Sequence, residues 1–144
     1  MDPAEFKDAL GCFATGITAS SFSSVSLDPP LILFSLNRRA YSLRAFLSTR
    51  SFAVNVLRED QKALSERFAR ARADKWSGLD YETWDTGCPI LADTLASFEC
   101  KIRHTYHGGD HVIFVGEVLR LHHGPQDRPL LFYRGKYHGV GPSS

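Results

Sequence analysis

The sequence has no apolar run that approaches the roughly 20 residues needed to cross a bilayer as a helix. It also has no surplus of one charge. Lys and Arg number 17, Asp and Glu 16, and the net charge is +1 with the signs well mixed. Nucleic acids and anionic membrane surfaces are gripped by basic patches or stripes. Neither a nucleic acid nor a membrane is therefore an expected partner. Cysteine is scarce: Cys12, Cys88 and Cys100 are an odd number with no Cys-x-x-Cys spacing. That argues against a disulfide framework or a zinc site and fits a reducing compartment. The N-terminal residues lack a basic segment followed by an apolar one, so the expected location is cytoplasmic. His104, His107, His122 and His123 follow no metal-ligand spacing, so no metal is expected and these read as surface histidines. Both standard nucleotide-phosphate loops, G-x-G-x-x-G and G-x-x-x-x-G-K-[ST], are missing. So are repeats, low-complexity tracts and linkers, and 144 residues make one domain, 1–144.

What the chain does contain is mostly strand signal. Residues 2–14 predict a helix: Asp2 as cap, Pro3 at the first helical position, Glu5 completing a capping-box pattern. Its apolar stripe is Phe6, Ala9, Leu10 and Phe13, and Gly16 stops it. Residues 31–36 and 52–57 are short apolar strands. Between them 42–48 predicts a short helix, and 60–71 a second with Ala63, Leu64 and Phe68 buried. Residues 72–92 carry Gly, Pro and two Trp and read as an irregular cover.

From 96 to 102, Ala96, Phe98, Cys100 and Ile102 alternate with Ser97, Glu99, Lys101 and Arg103. Period two predicts a strand with one buried and one wet face. The glycine turn in "HGGD" and the apolar run 111–121 then complete an antiparallel hairpin. A last short strand is expected at 130–133. Strands dominate and the helices are peripheral. The expected fold is mainly β, a small closed or nearly closed antiparallel barrel with a few covering helices.

Seven stretches occur in order: GCFATGIT, TASSFSSVSLDPPLILFSL, FAVNVL, GCPIL, FEC, GDHVIFVGEV and PLLFYRGKY. Together they resemble the flavin reductase family, and the resemblance spans nearly the whole chain. It implies an NAD(P)H:flavin oxidoreductase of split-barrel, FMN-binding type. Such a protein reduces FMN or FAD with NADH or NADPH and supplies the reduced flavin to a separate flavin-dependent monooxygenase. It also implies a homodimer. Two other readings of the same stretches are an FMN-binding electron-carrier module and a degenerate split-barrel protein that only dimerises.

Residue by residue, the resemblance places Thr18, Ala19, Ser20, Ser21 and Phe22 along the flavin ring. Small side chains there let backbone N–H groups approach the ring edge, and serine hydroxyls add donors. A wet, serine-rich edge strand is the plainer reading. The flavin phosphate is assigned to NRRAYS: Ser42 at the head of a helix, with Arg38 and Arg39 adding charge, and Lys75 nearby. Each charged residue is otherwise a solvated side chain. Asn55, a polar break in an apolar strand, touches the ligand or satisfies a neighbouring backbone. His111, after Gly-Asp, is the candidate catalytic residue, positioning the nicotinamide. Asp110 shapes the turn or binds. Tyr137 is the candidate aromatic near the nicotinamide, or a core or interface tyrosine.

In one respect the chain departs from the family pattern. Thr18 ends the Gly-Ile-Thr and also begins the Thr-Ala-Ser-Ser-Phe, so a segment the size of a β-hairpin is missing near Ile17–Thr18.

Overall fold

The structure is a computed structural model that describes residues 22–69, 76, 78–124, 128–133 and 136–138, the last two strands by backbone only. The helix expected at 2–14 lies outside them. The fold is the mainly antiparallel β architecture that the alternation predicts. Five strands form the principal sheet: β1 (Phe22–Leu27), β2 (Pro30–Asn37), β3 (Ser51–Val56), β6 (Ala96–Gly108) and β7 (His111–His123). Their order is β1-β2-β7-β6-β3, and every neighbouring pair is antiparallel. Two small hairpins flank it: β4 (Tyr81–Thr83) with β5 (Pro89–Leu91), and β8 (Leu131–Tyr133) with β9 (Lys136–His138). The helices are α1 (Leu43–Thr49) and α2 (Lys62–Ala69), the latter led by a 3-10 turn at Glu59–Gln61.

One face of the sheet holds the core. Ile32, Phe34 and Leu36 of β2 line up beside Val112 and Phe114 of β7, Cys100 and Ile102 of β6 and Phe52 of β3, and Phe46 of α1 caps them. Phe34 is the hub. Its ring lies 4.8 Å from Phe52, 5.2 Å from Phe114 and 5.3 Å from Phe46. Aromatic pairs at such spacings add to the area they bury. The sheet also curls. Phe22 on the edge strand β1 reaches the Phe98 ring on β6, 6.1 Å away, across two intervening strands.

Gly116 makes the curl possible. A β-carbon there would sit 2.5 Å from the Phe52 ring and 3.1 Å from Cys100 Cβ. Glycine is the residue that lets a neighbour pack on the strand backbone itself.

The opposite face differs from its expectation. Ser97 and Glu99 were to be wet, yet they are only 1% and 0% exposed. The 72–92 segment, expected to be irregular, contributes the β4–β5 hairpin that covers them, while Lys101 and Arg103 remain exposed. In α2, Phe68 is buried as expected, but Ala63 is exposed and Ser65 is buried instead. The last strand is followed by β9, which sequence periodicity did not indicate. Ahead of it, residues 128–130 run beside the exit from β3: Glu59 N–H donates to Arg128 O, and Leu130 N–H to Leu57 O.

Gly116→Ala should cost about 1–3 kcal/mol of stability, because Phe52 can neither leave its aromatic partners nor share the space. Denaturant titration of the purified variant measures this, and a change under half a kilocalorie would show that the ring relaxes freely.

Candidate functional site

Arg38, Ser42 and His111 lie at the end of the sheet where β2 leaves and the β6–β7 turn projects. Asn37, the last residue of β2, pairs in register with His111, the first of β7. The chain then turns sharply: Asn37 Oδ1 accepts from Arg39 N–H at 2.8 Å, and Asn37 O accepts from Ala40 N–H at 2.9 Å. An asparagine that bonds the backbone two residues on is a ready-made turn. The turn delivers Ser42 to the head of α1, where it is 4% exposed and its hydroxyl makes no capping hydrogen bond.

Opposite it, Gly108, Gly109 and Asp110 form the turn between β6 and β7. Gly109 has φ +65°, a left-handed conformation that glycine adopts without strain. Asp110 Oδ1 lies 2.7 Å from His111 Nδ1. An ionised carboxylate only accepts, so the Nδ1 proton is fixed there and Nε2 is the nitrogen left for another partner. The His111 hydrogen bond, and then its charge, hold the Asp110 carboxyl below the usual carboxylate range. The His111 side chain is 43% exposed, so the ring stays open to a ligand.

Arg38 lies between the two turns. Its backbone N–H donates to Asp110 O at 2.9 Å and its Nε–H to Gly109 O at 2.8 Å. Its Nη2 donates to His107 Nδ1. His107 thus has a specific partner, beyond the plain surface role expected of it. No sequence pattern signals this, because the two residues are 69 positions apart. His104 is exposed and stacks on Tyr106, and His122 and His123 are exposed.

Asn55 sits elsewhere. Its Oδ1 accepts from Leu91 N–H and Ser97 Oγ, both at 3.0 Å, and its Nδ2 donates to Pro89 O at 3.4 Å. Of the two roles open to it, the backbone-satisfying one accounts for these contacts. Beside it lies a buried polar layer. Glu99 Oε2 accepts from Thr86 N–H and Oγ1 at 3.0 and 2.8 Å, and the Thr94 and Ser97 hydroxyls lie 2.8 Å apart. Burial pushes the Cys100 thiol up to about 12 and raises that of Cys88. Both are free thiols, and a thiol held protonated is a poor nucleophile.

Phe22 opens β1, half-exposed, and the exposed Ser23 and Ser24 follow it. Thr18, Ala19, Ser20, Ser21 and Lys75 lie outside the described residues. Tyr137 is placed in β9 opposite Phe132, and its side chain lies outside what is described. Among the described residues no cluster of His, Cys, Asp and Glu is arranged to hold a metal.

The flavin reductase like domain model matches residues 9–141. The chain belongs to the flavin reductase family. The reductase subunit HsaB of a flavin-dependent monooxygenase from Mycobacterium tuberculosis is 39% identical over 158 residues, covering 99% of this chain and 84% of that one. The FMN reductase (NADH) SmoA of Agrobacterium fabrum is 42% identical, covering 92% and 83%. Among solved structures, the NADH:FAD oxidoreductase SgcE6 of Streptomyces globisporus, in complex with NAD and FAD fragments, superposes with a TM-score of 0.84 at 32% identity, covering 99% and 95%. The alignment with HsaB spans 158 positions against 144 residues here, so at least 14 of its positions face a gap in this chain. The junction at Ile17–Thr18, where this chain departs from the family pattern, lies outside the described residues.

Asn55→Ala should lower stability by about 1–3 kcal/mol, since Leu91 N–H loses its acceptor under cover. Flavin affinity of the folded variant should be unchanged. A flavin titration that weakens tenfold while the melting temperature holds would return Asn55 to the ligand.

Proposed function

We propose that the protein is an NAD(P)H:flavin oxidoreductase that releases reduced FMN or FAD to a separate flavin-dependent monooxygenase. Family membership supports the activity. The observation that carries the site is His111, fixed by Asp110 at the open end of the sheet next to the turn that leads to Ser42. Hydride transfer between a nicotinamide and a flavin needs no protein nucleophile, because the two bound rings supply the chemistry. The chain's part is to hold them in register and keep water out.

The residues suit a flavin. Phe22, Ser23 and Ser24 give β1 an accessible, small-side-chain strip next to one aromatic ring. Thr18, Ala19, Ser20 and Ser21 directly precede that strip in sequence. Ser42 keeps its hydroxyl free of helix capping and is assigned to the phosphate, with Lys75 as a second charge. With Nδ1 held by Asp110, His111 keeps Nε2 for the dinucleotide. Tyr137 is assigned to the nicotinamide side.

The protein is further proposed to act as a cytoplasmic homodimer. The apolar edge of β1, with Val25 and Leu27 exposed, gives a second copy something to cover.

Purified protein should oxidise NADH or NADPH only when FMN or FAD is supplied. His111→Ala should leave flavin affinity nearly intact and cut kcat/KM for NAD(P)H about 10- to 100-fold. Stopped-flow reduction of bound flavin measures it. A lower melting temperature with weakened flavin binding and no selective nicotinamide defect would make His111 structural. Ser42→Ala and Lys75→Ala should each weaken flavin binding about tenfold, and unchanged titrations in both would remove the phosphate assignment.

A further inference from the structure

We infer that Arg38 is a positioning residue for nicotinamide use, acting through the β6–β7 turn on His111, rather than a ligand of the flavin phosphate. The inference rests on the reading of His111 given above. Three hydrogen bonds carry it. The Arg38 backbone N–H reaches Asp110 O, its Nε–H reaches Gly109 O, and its Nη2 reaches His107 Nδ1. The first two grip consecutive residues of the turn. The third grips the strand that enters the turn, so one guanidinium spans the hairpin from β6 to its apex.

What this fork immobilises is the residue pair that matters. Asp110 sits in the gripped turn and holds His111 Nδ1 at 2.7 Å. If the turn shifts, the carboxylate shifts, and the imidazole swings with it. Gly108 and Gly109 make such a shift cheap, because glycine imposes little backbone restraint. Beyond Ile102, β6 also has no outer strand beside it among the described residues: its pairing with β3 ends at Lys101. The distal half of the hairpin therefore lacks lateral support, and Arg38 supplies some from β2.

The fork is specific to arginine. A guanidinium offers donors in a fixed plane that reach two acceptors at once, whereas a lysine ammonium is a point charge on a flexible stem. The two roles thus predict opposite outcomes for Arg38→Lys. A phosphate ligand that works by charge is largely retained. A fork that spans two acceptors is lost.

The experiment uses wild type, Arg38→Lys, Arg38→Met, His111→Ala and the double variant Arg38→Met/His111→Ala, each checked for melting temperature. Flavin affinity is titrated with FMN and with riboflavin, which has no phosphate, and steady-state rates are taken against NADH. The inference expects Arg38→Met and Arg38→Lys alike to lose about 10-fold in kcat/KM for NADH. The ratio of FMN to riboflavin affinity should stay at its wild-type value. In the His111→Ala background, Arg38→Met should cost little more, because both changes remove the same oriented imidazole.

Three results would overturn it: an affinity loss for FMN but not riboflavin, full rescue by lysine, or additive losses in the double variant. A His111→Ala protein with normal NADH kinetics overturns it as well, together with the role of His111. Wild type that oxidises no NADH in the presence of flavin overturns the reductase reading itself, a result distinct from all the others. Should Arg38→Met melt early, Arg38→Lys alone still decides between fork and charge.

Discussion

The fold depends on the contact between Phe52 and the bare backbone at Gly116. Phe52 projects from β3, the last strand of the sheet, and its ring crosses β6 to rest on β7. A side chain at Gly116 would lift it. With the ring seated, Phe34 packs edge-on against it and flat against Phe114, and the sheet curls far enough for β1 to approach β6. A barrel of this size has little room inside, so interior side chains must alternate large and small. The large Phe52 ring on β3 fits because the positions it meets, Cys100 on β6 and Gly116 on β7, are small. β2 and β7 stay in unbroken register from Leu31 with Glu117 to Asn37 with His111, and that register places His111 beside the β2 turn.

Much of this is legible in the sequence, for definable reasons. The β6–β7 hairpin announces itself because alternation and a glycine turn are local signals. The helix over α1 and the strands β2 and β3 follow from short apolar runs between polar ones. Glu99 shows where local reading stops. Period two reports that Ser97 and Glu99 share a face, not what covers that face. The cover is a hairpin of two three-residue strands, too short for a period to register. It is held by side-chain hydrogen bonds from Asn55 and Glu99 across separations of 13 to 36 residues. Asn55 reads in sequence as an oddity in an apolar strand. In the structure it is the acceptor that lets β5 lie against β3.

The site divides along the same line. His111 and Asp110 are adjacent, and their turn is visible in the residue types. Arg38 is visible only as one basic residue beside another, and charge alone points it at a phosphate. Its partners are a carbonyl oxygen at Gly109 and a ring nitrogen at His107, neither of which sequence inspection would pair with an arginine. The geometry suits bracing: a planar fork meets two acceptors about 70 residues away in sequence.

Bracing matters here because of the reaction's demands. A reductase that passes its flavin on must bind that flavin loosely, so the flavin cannot be the rigid element around which the nicotinamide is aligned. Rigidity has to come from the chain. Hydride transfer tolerates little misplacement of the two rings, and about 1 Å of error costs on the order of a hundredfold in rate. A glycine-rich turn at the end of a hairpin is a poor support unless it is tied from outside. The Arg38 ties to Gly109, Asp110 and His107 provide such a support, and they do so from β2, the strand that continues into the candidate phosphate-binding turn at Ser42. The five residues from Arg38 to Ser42 thus link the turn that carries His111 to the group assigned to the flavin, so the spacing between them is set by hydrogen bonds within the chain and not by either ligand.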